Sequence, residues 1–163
     1  MKKYSKSDQK LLAIWAADCA KRVLPFFEKM YPEDDRPRKA IEVLRRWIKT
    51  GVFQMAEIRE ASLAAHAAAR NAQASSVACF AARAAGQAVA TAHVAQHAYG
   101  SSYYSLKAII ADNPLDSEIK ATQEYNWQSG HLNEELRQEI MGRIIISQNK
   151  KGVVVKIKKG DDF

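Results

Sequence analysis

Residues 61–98 read ASLAAHAAARNAQASSVACFAARAAGQAVATAHVAQHA, and alanine dominates this stretch. Nineteen of the 27 alanines in the chain lie between residues 56 and 98. Because alanine has the highest helix propensity of all residues, the stretch predicts two strong helices, from about Gln54 to Gln73 and from about Val77 to Tyr99. Gly100 is expected to end the second helix. Together the two segments predict an alanine-rich helical hairpin at the centre of the fold.

Apolar residues recur at spacings of three and four on both sides of this hairpin, which is the pattern of amphipathic helices. Before it, we expect one helix from about Ser7, kinked at Pro25, and a second from about Asp35 to Gly51. After it, we expect three shorter helices, over about residues 102–111, 115–128 and 133–142. Gly86 lowers helix propensity in mid-helix, so we expect it to mark a close helix crossing. The predicted fold class is therefore all-α, a multi-helix bundle.

The pattern changes after the last predicted helix. Residues 144–146 are three consecutive isoleucines, residues 153–157 form a second β-branched run, and the segment between them is typical of a turn. We expect a small C-terminal β-hairpin that docks on the bundle or on a partner chain through its free edge. The chain is thus divided into a helical domain over residues 1–142 and a basic strand-forming appendage over residues 143–163.

The net charge of +7 is located at the two ends of the chain. Residues 1–10 carry +3 and residues 143–163 carry +4, whereas residues 11–142 hold 15 basic and 15 acidic side chains. A nucleic-acid-binding domain usually carries a basic face on its folded body. We therefore do not expect nucleic acid to be the partner.

Compartment is indicated by hydropathy and by the cysteines. No apolar run approaches the roughly 18 residues that a membrane-spanning helix needs, and the polar start MKKYSKSDQK lacks the pattern of a secretory signal. Cys19 and Cys79 are far apart and form no CxxC motif, which favours two reduced thiols. We expect a cytoplasmic protein without a membrane segment.

Three of the four histidines fall in the alanine-rich hairpin. His93 and His97 are four residues apart, so they share one face of the predicted second helix, and His66 lies on the helix before it. Three imidazoles that converge between two helices can bind a divalent transition metal. The spacing also arises by chance and the HExxH motif is absent, so hydrogen-bonded structural histidines are the favoured interpretation. A metal site of His66, His93 and His97 is kept as the alternative; otherwise we expect no cofactor.

Arg70 and Arg83 are the only formal charges in residues 61–106. If they face inward they need acidic partners, because an unpaired buried charge is strongly destabilising. We favour structural ion pairs that join the hairpin to the first two helices, and an anion-binding pocket of Arg70, Arg83 and His66 is the alternative. The candidate cluster for ligand binding or ion pairing comprises Asp18, Asp34, Asp35, Arg36, Arg70 and Arg83.

Three tyrosines, Tyr99, Tyr103 and Tyr104, cluster near a predicted helix junction. If they are exposed, such a cluster is typical of a protein interface. Packing of the same residues against the first helix is an equally simple interpretation. The sequence does not decide between the two.

Several motifs together are similar to those of one known family: WAADCA (Trp15–Ala20), VLPFFE (Val23–Glu28), DDRPRKAIE (Asp34–Glu42), AAHAAAR (Ala64–Arg70) and AARAAGQAVATAHVAQHA (Ala81–Ala98). They resemble the putative immunity protein family, the Imm-five-like domain of bacterial polymorphic toxin systems. The resemblance covers roughly residues 12–111. It implies an all-helical fold and a protein that binds and neutralises a toxin, with no established catalytic residues to carry over.

Two functional hypotheses follow. The first is a non-catalytic cytoplasmic binding protein whose partner is another protein, in particular a toxin. The second is a helical protein with a metal or small-anion site at His66, His93 and His97, for which the sequence leaves catalysis open. The second hypothesis is retained because many polar residues on this alanine-rich frame match the family pattern. These residues are Asp18, Asp34, Asp35, Arg36, Arg38, His66, Arg70, Arg83, His93 and His97. Self-association through the hairpin edge or the alanine-rich face also stays open.

Overall fold

A computed structural model describes residues 3–160, and the outermost residues of both basic segments, 1–2 and 161–163, lie outside the described residues. Seven helices and two strands follow one another in this part of the chain: α1 (Lys6–Met30), α2 (Arg36–Thr50), α3 (Met55–Asn71), α4 (Ser76–Ala90), α5 (His97–Asp112), α6 (Ser117–Gly130), α7 (Glu134–Met141), β1 (Ile144–Asn149) and β2 (Gly152–Ile157). The prediction of an all-α bundle with a small C-terminal hairpin is confirmed.

Four helix ends follow local rules that are visible in the sequence. Ser5, Ser75 and Asn133 each accept a hydrogen bond from a backbone N–H of the first turn, which satisfies a donor that has no partner within the helix. Gly51 ends α2 with φ +69°, a conformation that glycine adopts without strain. Asp35 precedes α2 as expected, but its side chain makes no capping hydrogen bond.

The prediction of one helix over residues 77–99 is wrong, because α4 ends at Ala90 and α5 begins at His97. The break has a tertiary cause. Gln9 of α1 donates its amide to the backbone oxygens of Thr91 and Ala92, at 3.0 and 3.1 Å. These carbonyls would otherwise accept bonds from the next helical turn. Alanine propensity is therefore overridden by one side chain from a distant helix.

Gly100 lies inside α5 and does not end a helix, which corrects the prediction made from its sequence position. The Gln87 side chain of α4 lies directly over it, and a Cβ atom at residue 100 would come within 2.6 Å of Gln87 Oε1. A larger residue at this position would have to displace the Gln87 side chain, so glycine allows this close approach of α4 and α5. The expectation of a close crossing at Gly86 is confirmed, because the ring of His66 on α3 lies against it.

Helix α4 occupies the centre of the bundle and packs against α1, α2, α3 and α5. Its inner faces are small residues, such as Ala81, Ala85 and Ala88, which are fully buried. The larger core side chains come from the surrounding helices and include Trp15 and Phe27 of α1. Small residues at the centre let helix axes approach closely, which explains the alanine enrichment.

A buried polar network attaches α6 to α1 and α5. The Trp15 indole donates to the backbone oxygen of Gln128 at 2.9 Å, and the Gln128 side chain accepts from Ser102. Gln128 also donates to Glu124, whose carboxylate accepts a hydrogen bond from Arg22 Nε and lies 2.9 Å from Arg22 Nη2. Every buried group of this network therefore has a partner, as buried polar groups require.

The C-terminal hairpin packs on the bundle against α5, α6 and α7. Its strands are antiparallel, with Ile144 opposite Ile157 and Asn149 opposite Gly152, whose φ of +113° closes the turn. Ile144 and Val155 are buried and belong to the same core cluster as the helices. Within residues 3–160, no helix combines the length and hydrophobicity needed to cross a bilayer.

Candidate functional site

An open cavity of about 470 Å³ lies between α3 and the turn that links α4 to α5. Its volume is in the range typical of small-molecule sites, about 300–1,000 Å³. Three of its lining residues are histidines, and no lining residue is acidic: Met55, Ile58, Arg59, Ser62, Leu63, His66, Ala90, His93 and His97. The three histidines named in the sequence therefore line one cavity, which we call the histidine cavity.

His66 is held by contacts between α3 and α4. A Cβ atom at Gly86 would lie 2.9 Å from Cε1 and Nε2 of its ring, and Ser62 one turn earlier donates to the Gly86 carbonyl at 3.0 Å. Nδ1 of His66 is buried and has no hydrogen-bond partner among the described residues. Burial lowers the pKa of His66, and the nearby charges of Arg83 and Arg70 lower it further. The neutral ring is therefore favoured at pH 7.

His97 is oriented by Gln87, whose Oε1 lies 2.8 Å from His97 Nδ1. Because an amide oxygen only accepts, Nδ1 is the donor, and the lone pair of the neutral ring is on Nε2. Burial lowers the pKa of His97, and His93 contributes to the same shift. A neutral ring in a fixed tautomer can accept a hydrogen bond at Nε2.

One premise of the alternative metal site is wrong. His93 and His97 do not share a helical face, because His93 lies in the turn after α4 and His97 is the first residue of α5. Within residues 3–160, no three His, Cys, Asp or Glu side chains are grouped so that they could hold a metal ion. The arrangement of donor groups therefore gives the metal hypothesis no support beyond the shared cavity.

The aspartates of the predicted cluster pair with other cations than expected. Asp18 binds Arg45 at 2.6 Å, and Asp35 binds Lys39 at 2.9 Å. Asp34 binds Arg36 at 2.6 Å, and this contact lowers the pKa of Asp34. These pairs join α1 to α2 or lie around the start of α2, and they do not reach the alanine-rich hairpin.

Arg70 and Arg83 are not part of these ion pairs, which corrects the favoured interpretation of the cluster. In the part of the chain that the structure describes, neither guanidinium forms a salt bridge. Arg70 is exposed and Arg83 is half-buried, so water solvates charges that were expected to need aspartates. The two arginines do lie close enough to His66 to affect its pKa.

A group of aromatic and cationic side chains lies on α4 and α5. The ring of Tyr104 stacks on Phe80 at 6.3 Å and meets Tyr103 edge-on at 5.1 Å. Lys107 Nζ lies 4.2 Å from the centre of the Phe80 ring, and Arg83 Cζ lies 5.9 Å from that of Tyr104. We call these five residues the cation–aromatic patch.

The sequence pointed to only part of this patch. Tyr103 and Tyr104 are half-buried as a surface cluster would be, whereas Tyr99 is buried in the core. Phe80 and Lys107 were missed because they come from different helices. The spacing of three from Phe80 to Arg83 and from Tyr104 to Lys107 is the signal that places each pair on one helical face.

A family model described as Imm-5 like putative immunity protein matches residues 2–135 of the 163. The chain belongs to this family. The match extends beyond the resemblance found in residues 12–111 and covers α1 to α6. No curated protein and no solved structure shows significant similarity to the chain. In this Imm-5 like protein, the histidine cavity and the cation–aromatic patch lie within the matched residues, and the C-terminal hairpin lies outside them.

Proposed function

We propose that this Imm-5 like protein is an immunity protein that binds a protein toxin and neutralises it by occupation, that is, by remaining bound to the toxin without catalysing a reaction. The observation that carries the proposal is the family match over residues 2–135, which includes six of the helices described above. Aromatic and arginine side chains at the surface support it, because these residue types are enriched at protein interfaces.

We place this activity in the cytoplasm, and the thiols support that assignment. Cys19 and Cys79 are both free, and Cys19 is fully buried. Burial raises the pKa of the Cys19 thiol well above its usual value, which keeps it protonated and unreactive. Two free thiols are typical of a reducing compartment.

Growth rescue and binding test the proposal directly. Each polymorphic toxin domain encoded in the source genome is expressed in a bacterial host, with and without this chain. We expect the chain to restore growth against one toxin domain and to bind the purified domain by isothermal titration calorimetry. No rescue and no binding across the whole set would contradict the immunity proposal.

Stoichiometry separates occupation from catalysis. If the chain neutralises by occupation, inhibition of the purified toxin saturates at equimolar chain, and the mass of the toxin is unchanged after incubation. Inhibition by a small fraction of an equivalent, or a changed toxin mass, would contradict the non-catalytic part of the proposal and leave the immunity role intact.

A second candidate function is the binding of a small anion in the histidine cavity. The observation that favours it is the buried Nδ1 of His66, which lacks a partner in residues 3–160, together with a cavity lining that includes Arg59 and no acidic residue. Titration with inorganic phosphate, followed by NMR of the imidazole nitrogens, tests it. Saturable shifts at His66 that are lost in Arg59→Gln would support the site. Unchanged spectra would exclude phosphate as its ligand.

Elemental analysis of the same untagged protein tests the metal version of this site. Near-stoichiometric metal that is lost in His93→Ala/His97→Ala would support it. The grouping of the described donors leads us to expect no such metal.

A further inference from the structure

The molecule carries one face without acidic residues. Residues 61–111 contain no Asp or Glu, and they make up the second half of α3, all of α4 and nearly all of α5. The charged side chains in this segment are Arg70, Arg83 and Lys107. This face is the surface that residues 61–111 themselves form, and it therefore presents only positive charge and neutral groups.

The cation–aromatic patch lies in this face. All five of its side chains are half-buried, so each reaches solvent while it rests on the bundle. Lys107 Nζ lies between two rings, 4.2 Å from the Phe80 centroid and 5.3 Å from that of Tyr103. Rings and cations that are fixed by mutual contact lose little side-chain entropy on binding, which is typical of residues that dominate interface energetics.

The cations of the patch contact aromatic rings and have no carboxylate partner among the described residues. Among the described residues, Arg83 and Lys107 form no salt bridge. Seven of the fifteen cations on the other helices are paired with carboxylates: Arg22, Arg36, Arg38, Lys39, Arg45, Arg46 and Arg137. The patch is therefore complementary to a surface that brings carboxylates of its own.

We infer that the cation–aromatic patch is the toxin-binding surface of this protein and that its partner is a protein with an acidic surface. This inference rests on the proposed function and adds the location and the chemistry of the contact. Besides an acidic protein, single-stranded nucleic acid also binds surfaces made of aromatic and basic side chains. Three cations on this face are few beside the roughly 6–10 phosphate contacts of typical nucleic-acid-binding proteins, so an acidic protein fits better.

Charge reversal tests the inference. The double variant Arg83→Glu/Lys107→Glu is compared with Lys21→Glu/Lys120→Glu, which makes the same change in net charge at exposed positions on α1 and α6. The probe is the toxin domain that the unmodified chain binds. We expect the patch variant to raise Kd by roughly 30-fold or more and Tyr104→Ala to raise it by roughly tenfold. The control should change Kd by less than about threefold.

Folding is checked by circular dichroism, and Arg83→Gln/Lys107→Gln provides a milder variant that removes both charges without reversing them. If the patch variants fold and bind the toxin as the unmodified chain does, the inference is overturned and the immunity proposal stands. If the unmodified chain binds no toxin, both are overturned.

Fluorescence anisotropy with a labelled single-stranded oligonucleotide covers the other macromolecule. We expect no binding at physiological salt. Binding by the unmodified chain that is lost in Arg83→Glu/Lys107→Glu, together with unaltered toxin binding, would assign the patch to nucleic acid and overturn the inference.

Discussion

At the scale of single residues, Gly86 and His66 are coupled by direct contact. A Cβ at residue 86 would lie 2.9 Å from the His66 ring, so Gly86→Ala must displace that ring. Alanine favours a helix over glycine by about 0.5–1 kcal/mol. We therefore expect Gly86→Ala to stabilise the His66→Ala variant by about that amount and to give little or no gain in the unmodified chain. The measurement is the free energy of unfolding in urea for all four proteins.

The matched control is Gly130→Ala at the end of α6, where an added Cβ meets nothing within 4 Å. Its effect should be the same with and without His66. If Gly86→Ala also had equal effects in both backgrounds, the ring would not be in contact with the glycine.

The buried histidines make stability depend on pH. Burial lowers the pKa of His66 and of His97 below the ordinary value of 6.5. The unfolded chain then binds protons more readily than the folded chain. The contribution of the neutral histidines to the free energy of unfolding is therefore fully present above about pH 6.5, and it is lost as the pH falls towards the lowered pKa values. We expect the free energy of unfolding to fall between pH 7 and about 5.5, and to fall less in His66→Gln. Parallel profiles for the two proteins would contradict the assignment.

At the scale of elements, α6 is attached to α1 by Arg22 and Glu124. The Glu124 side chain is only 3% exposed, whereas that of Arg22 is 41% exposed. Arg22→Ala leaves a buried carboxylate with Gln128 Nε2 as its remaining side-chain donor, so we expect a loss of about 2–4 kcal/mol in the free energy of unfolding. Adding Glu124→Gln to this variant should recover part of the loss, because the buried charge is removed.

The control for this pair is Arg45→Ala, which breaks the contact with Asp18. Both side chains of that pair are more than a third exposed, and exposed pairs contribute at most about 1 kcal/mol. Equal losses for Arg22→Ala and Arg45→Ala in urea unfolding would show that burial of Glu124 does not matter.

The same scale shows how far the sequence could predict the structure. The C-terminal end of α2 follows from Gly51, and the two helices of the hairpin follow from alanine propensity, which are local signals. The end of α4 depends on Gln9, which is 82 residues before Thr91 and reaches its carbonyl only in the folded chain. No local pattern contains that contact. The histidines therefore pointed to the candidate site, but the assumption that His93 and His97 share one helical face was wrong.

At the scale of the whole molecule, the alanine-rich helices determine how the other parts are arranged. Because their side chains are small, most of the bulky core residues come from α1 and from the later helices, and a single core cluster extends from Leu12 to Val155. The tertiary arrangement of the polar residues could not be predicted from spacing, because Arg22 pairs with Glu124 across 102 residues and not with Asp18 four residues away. Pairing is decided by which helices become neighbours.

The continuous core implies that the C-terminal hairpin contributes to global stability, although it lies outside the family match. Ile144 is 3% exposed and its neighbour Ile145 is 42% exposed, so the strand offers its own control. We expect Ile144→Ala to lower the free energy of unfolding by about 2–5 kcal/mol, because it creates a cavity in a core position. Ile145→Ala should cost less than about 1 kcal/mol.

Urea unfolding followed by tryptophan fluorescence reports on the bundle, since all three tryptophans lie on helices. A loss at Ile144 that is seen by this probe means that hairpin and bundle unfold together. Equal, small effects of the two substitutions would instead mean that residues 143–163 are an appendage that the bundle does not need.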